Sequence, residues 1–195
     1  AFIASTGEVF SLSADAQSQL ASAVEPFTSA GYSAGYLLVD IESGRGIAAN
    51  LDQQVYGASA IKAPFILYML ETAFPSGSVN FDTPFSEDLA WDSMDGDLTL
   101  DGESLYPFMT LAESSITSSD NDAFRIIRAN YETPDFRTWL DNLNLQNVDA
   151  SEWFPYLSAR DLGKLWLEMY TFWETETEEA WWLETHCSLT ETSFV

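Results

Sequence analysis

At 195 residues, with 46% apolar and 14% aromatic content, the chain is long and greasy enough to bury a real core, and its composition excludes a disordered protein. Thirty-one acidic residues against seven basic ones give a formal charge of −24, which argues against nucleic acid and anionic lipid as partners and reads as a solubilising acidic surface. No run approaches the ~20 apolar residues of a membrane span, no basic n-region precedes an apolar segment, so a signal segment is expected to be absent or removed, and the single cysteine, Cys187, rules out an internal disulfide.

In chain order, Ser13 or Asp15 is placed to cap a helix with Ala16, Leu20, Val24 and Phe27 on its apolar face and Gly31 closing it. Residues 36–41 then read as a strand, 42–45 as a hairpin turn and 46–50 as the returning strand. Next, residues 57–70 read as a buried helix carrying Ser59 and Lys62 in its first turn, since apolar residues run almost unbroken from Ala63 to Leu70. Pro64 fits there because a missing N–H costs little near a helix start. Spaced three apart, Ser59 and Lys62 share one face within reach of each other. The amine sits at the positive end of a helix dipole and partly in a core, and both conditions lower its pKa. A neutral amine beside a hydroxyl can take its proton and leave a nucleophile. The plainer alternative is an N-cap serine followed by a snorkelling lysine. Against it, the chain's only other lysine is Lys164, and an apolar helix is an unfavourable place for a charge.

Pro75-Ser76-Gly77-Ser78 breaks the chain, and an acidic stretch follows over residues 81–103. Within it Asp97-Leu98-Thr99-Leu100-Asp101-Gly102 comes nearest to a calcium loop. A threonine holds its third position and Phe108 stands where the closing glutamate belongs, so a solvated loop is expected and no metal site. Residues 105–118 read as a helix, and a second helix carries Phe124, Ile126 and Ile127. Thr133-Pro134 reads as the cap and first position of a third, through Phe136, Trp139, Leu140 and Leu143. Ser158-Ala159-Arg160-Asp161 has the form of a capping box, opening a helix with a core stripe of Leu162, Leu165, Trp166, Met169 and Trp173. Residues 174–184 read as one more helix. His186 and Cys187 adjoin, but neighbours on a helix point in different directions, so neither a dyad nor a metal site is expected.

Between the second pair of helices lies Ser119-Asp120-Asn121, sixty positions after Ser59. Alone it is a common polar turn. Beside Ser59 and Lys62, a hydroxyl at Ser119 could pass a proton to a leaving amine. The carboxamide of Asn121 offers a donor and an acceptor to a substrate amide, and Asp120 is expected to brace the loop.

With these residues in hand, the chain resembles the serine β-lactamases and penicillin-recognising D,D-peptidases, closest to class A. The resemblance rests on Ser59-Ala60-Ile61-Lys62 with Pro64 beyond, on Ser119-Asp120-Asn121, and on the order helix, hairpin, nucleophile helix, helical region. It covers roughly residues 13–175. It implies an α+β fold, an antiparallel sheet flanked by helices and packed on a mainly helical subdomain. The sheet part would take residues 1–51, the helical subdomain 52–157, and 158–195 would return to the sheet. It further implies that Ser59 is acylated, Lys62 activates it, Ser119 relays the proton, Asn121 binds substrate and the Ser59 N–H supplies half an oxyanion hole. The substrate would be a β-lactam or a cell-wall peptide outside the cytoplasm, with no cofactor and no metal; the oligomeric state is left open. The family's third motif, Lys-Thr-Gly on a strand, does not occur up to Val195. Its deacylating glutamate has only Glu152 as a nearby candidate, in the unmatched context Trp153-Phe154-Pro155-Tyr156. A persistent acyl-enzyme is therefore expected, and the rival reading is a catalytically silent module that binds a ligand or partner through the same cleft.

Overall fold

A computed structural model of the chain describes residues 12–90, 92, 94, 104–131 and 135–190. Helix α1 (Ala14–Ser29) opens on Ser13, whose hydroxyl accepts the Ala16 N–H at 3.2 Å. Strands β1 (Tyr36–Val39) and β2 (Gly46–Ala49) form an antiparallel hairpin in which Tyr36 faces Ala49 and Val39 faces Gly46. β1 stops two residues short of the expected Ile41. Asp40, exposed, opens a surface turn instead, its Oδ1 accepting the N–H groups of Glu42 and Ser43. At Gly46 a Cβ would lie 2.5 Å from the Leu38 carbonyl oxygen, so only glycine lets the two strands approach this closely.

Strand β3 (Val55–Tyr56) leads through a 3-10 turn (Ala58–Ile61) into α2 (Lys62–Thr72). Of the eleven residues of α2, eight are buried, as the apolar run demands. Strand β4 (Pro84–Ser86) pairs with β5 (Leu105–Pro107), which precedes α3 (Phe108–Thr117). The helix expected over 105–118 thus starts three residues late. Proline forces the residue before it toward extended backbone, and the Phe85–Tyr106 pairing captures that conformation. Helix α4 (Asn121–Asn130) is capped by Asp120, and α5 (Asp135–Asn142) follows. Strand β6 (Tyr156–Leu157) pairs with β3 across a hundred residues of chain (Val55 with Leu157). Helix α6 (Ala159–Trp173) carries both halves of the expected capping box, Ser158 and Asp161. The last helix, α7 (Glu178–Ser188), begins four residues later than expected. Glu174 instead ends α6, Glu176 takes a left-handed φ of +53°, and the Thr177 hydroxyl caps α7. The solvated loop expected over residues 97–102 and the Thr133-Pro134 cap lie outside the described residues.

The core gathers around α2, where Phe65, Tyr68, Phe124, Phe136 and Trp139 form one aromatic cluster with ring centroids 4.8–6.0 Å apart. Arg128, 1% exposed, lies in it with its guanidinium 4.7 Å from the Phe65 ring and 5.5 Å from that of Phe136. Its fork donates to the carbonyls of Ala150 and Glu152, fastening the chain ahead of β6. By contrast α1 has no buried residue. Among the described residues, no helix is long and apolar enough to cross a membrane.

Candidate active site

Two structural facts bring the distant residues together. The N-terminal end of α2 places Lys62 inside the core, 2% exposed, while Ser59 stands half-buried in the 3-10 turn just before it. The α3–α4 connection then lays Ser119 against both. Ser119 adopts a left-handed φ of +56°, unusual for a residue with a side chain. The conformation aims its carbonyl and its hydroxyl at the same amine. Lys62 Nζ donates to Ser119 O at 2.5 Å, to Ser119 Oγ at 3.2 Å and to Asn121 Oδ1 at 2.8 Å. Ser119 Oγ in turn lies 2.7 Å from Ser59 Oγ, donating to it.

The link between Ser59 and Lys62 thus runs through Ser119, where the spacing alone suggested direct contact. Four side chains, Ser59, Lys62, Ser119 and Asn121, form one hydrogen-bonded chain that reaches the surface at its serine end. Asp120 stands behind it as a brace. Its Oδ1 accepts the Ala123 N–H at 2.9 Å, its Oδ2 accepts from Ser114 Oγ, and its own N–H donates to the Ser114 carbonyl. Being the cap of α4, it fixes the residues on either side of it.

The amine is electrostatically poised. Burial pushes Lys62 down from 10.5 to about 8; the Asp120 carboxylate opposes that shift and the Arg125 guanidinium adds to it. At neutral pH the ammonium still predominates, but the neutral amine is far more accessible than in an ordinary lysine. Hydroxyl hydrogens rotate freely, so the chain can run in either direction: from ammonium toward Ser59, or from Ser59 toward a neutral amine.

Sequence reasoning passed over Phe154, whose ring centroid lies 5.7 Å from Lys62 Nζ and 5.9 Å from Arg125 Cζ. An aromatic in a Trp-Phe-Pro-Tyr run carries no motif, and long-range contacts of its segment, the β3–β6 pairing among them, bring it here. Glu152 is exposed, and its backbone is held by Arg128 and Asp149. Cys187 is half-buried and its thiol is pushed up to about 12 by burial, so it is inert as a nucleophile. His186 Nδ1 meets the Trp182 carbonyl at 2.7 Å, and its Nε2 stands 3.9 Å from Glu113.

A model of the beta-lactamase enzyme family matches residues 6–183. No curated protein matches the chain. Among solved structures, that of PBP-A is 24% identical, with a TM-score of 0.69 over 82% of this chain and 63% of that one. A PBP-A mutant in an acyl-enzyme complex with penicillin G is 23% identical, with a TM-score of 0.68 over 90% of this chain and 70% of that one. A β-lactamase from Sphaerobacter thermophilus is 16% identical, with a TM-score of 0.75 over the same shares, 90% and 70%. At these identities the likeness establishes a common fold, and this chain spans 63% of the length of PBP-A.

Proposed function

The chain belongs to the beta-lactamase enzyme family, and from that premise we propose that it is a serine acyl-enzyme hydrolase acting outside the cytoplasm on a β-lactam or a cell-wall peptide amide. The observation that carries this reading is the bridge made by Ser119, 2.7 Å from Ser59 Oγ and 3.2 Å from Lys62 Nζ. A nucleophilic serine needs a base within hydrogen-bond reach, directly or through one mediator.

With Lys62 neutral, Ser59 Oγ attacks the substrate carbonyl as its proton passes to Ser119 Oγ and the Ser119 proton passes to Nζ. The Ser59 N–H, at the start of the α2 approach, stabilises the developing oxyanion. The new ammonium returns its proton through Ser119 to the departing nitrogen, and the C–N bond breaks to leave an ester on Ser59. Asn121, its Oδ1 held by Lys62, turns its NH2 toward the substrate amide. Among the described residues, the candidate for activating a deacylating water, Glu152, is exposed rather than turned into the site. The acyl-enzyme is accordingly long-lived, which suits a peptidase, transpeptidase or penicillin binder better than a fast β-lactamase.

One observation favours a second reading, a silent ligand-binding module. Three acceptors surround Lys62 Nζ, a set that also suits a resting ammonium. Incubation with a fluorescent penicillin followed by intact-mass measurement separates the two. The hydrolase gives a stoichiometric covalent adduct that disappears in Ser59→Ala. The silent module gives reversible binding without a mass shift.

A further inference from the structure

Phe154 reaches to within 5.7 Å of the amine of Lys62 without being a member of the hydrogen-bonded relay. Its segment is held in place at several points, none of which involves the Phe154 side chain. Gly57, two residues before Ser59, donates its N–H to the Pro155 carbonyl at 3.0 Å. A Cβ at Gly57 would lie 2.6 Å from that same oxygen, so the approach requires glycine. Arg128 holds the Ala150 and Glu152 carbonyls, and the β3–β6 pairing holds Tyr156 and Leu157. The ring itself rests on Phe124 with centroids 5.7 Å apart. Phe154 is thus pressed against the one lysine of the site by anchors on both sides of it.

An aromatic ring beside an amine acts in two opposed ways. Its π face attracts an ammonium, an effect that fades beyond about 6 Å. Its bulk excludes water, which disfavours the ammonium. At 5.7 Å the ring lies near the outer limit of that attraction, while Lys62 beneath it is only 2% exposed, so loss of the ring opens the amine to water. Among the described residues, the charged groups that act on Nζ are Asp120 and Arg125, both on α4 or its cap, and they act in opposite directions. Burial remains as the leading influence on the amine.

Resting on the acyl-enzyme reading above, we propose that Phe154 is a positioning residue of the site, a hydrophobic shutter that keeps water off Lys62 and so eases the passage of the Ser59 proton through Ser119 to the amine. It takes no part in the hydrogen-bonded relay and acts on it through Lys62, with the Arg125 guanidinium also 5.9 Å from its ring. The anchoring of its segment to Gly57 couples the shutter to the nucleophile turn, so the dry side of the amine and the position of Ser59 are set together.

The chain contains two lysines, Lys62 and Lys164, so uniform 13C-lysine labelling gives two Cε signals that can be titrated by NMR without any catalytic assay. In the wild type the Lys62 signal is expected to titrate near 8. In Phe154→Ala it moves up by about one pH unit or more, while Phe154→Leu, which stays apolar, moves it by less than about half a unit. Lys164, whose amine donates to the Asn144 carbonyl on the surface, serves as the control and does not move. Where Phe154→Ala does not melt cooperatively, Phe154→Gln, bulky but water-attracting, takes its place with the same expected rise. An unmoved Lys62 midpoint in a folded Ala or Gln variant overturns the proposal. On the kinetic side, penicillin labelling of Phe154→Ala falls about tenfold at pH 7.5 and recovers at pH 10, in keeping with a one-unit shift. An equal loss at every pH overturns it in favour of a structural role. A wild type that takes no acyl label defeats the hydrolase reading, while the NMR midpoint still decides the shutter.

Discussion

Lys62 and Glu71 stand on the same helix, and burial drives them in opposite chemical directions. Lys62, lowered to about 8, loses its proton as the pH rises through that value, so covalent labelling is expected to accelerate from pH 6 to pH 9 and then level. Lys62→Arg keeps the charge but cannot give up a proton, and is expected to lose labelling by about 100-fold or more. Glu71 is raised from 4.5 to about 7, chiefly by burial; the Trp139 indole N–H, 2.7 Å from its Oε2, opposes that shift, and nearby Glu168 adds to it. Because the folded chain binds this proton more tightly than the unfolded one, its stabilising effect is complete below pH 4.5 and is lost as the pH rises toward 7. Urea midpoints at pH 5 and pH 8 check this: the wild type falls between them, and Glu71→Gln, which carries no proton to lose, narrows the fall.

The elements matter through their ends. Asp120 caps α4 from between the two residues that meet Lys62, so removing the cap loosens helix and site together. Asp120→Ala is expected to cost about 1 kcal/mol of stability, while Asp120→Asn, a competent cap, costs a few tenths. Thermal melts compare the two, and labelling rates are expected to follow the same order. Such local signals are what a sequence displays well. The Ser13 cap, the Ser158–Asp161 box and the apolar run of α2 are written within a few residues of where they act. Pairings between distant segments are not. The β4–β5 ribbon turned an expected helical turn at Leu105 into a strand, and β3–β6 helped carry Phe154 to the lysine. The left-handed Ser119 was equally hidden, since its conformation is imposed by the contacts of α3 and α4 rather than by its residue type.

At the scale of the molecule, a buried helical centre around α2 contrasts with an open periphery. Phe27 and Tyr32 beside the hairpin are 57% and 70% exposed, and Leu38 on β1 is 67% exposed. A net charge of −24 repels itself most strongly in the compact state. Salt screens that repulsion within roughly 10 Å at 0.1 M, so the melting temperature is expected to rise between low and moderate sodium chloride, a trend that differential scanning calorimetry reads directly. The central claim concerns the opposite extreme of scale, one hydroxyl between a nucleophile and its base. The most direct test is the second-order rate of covalent labelling by penicillin in wild type and Ser119→Ala. A relay predicts labelling of Ser59 in the wild type and a loss of about 100-fold or more in the variant. Equal rates in the two proteins, or a label borne elsewhere than Ser59, would contradict it.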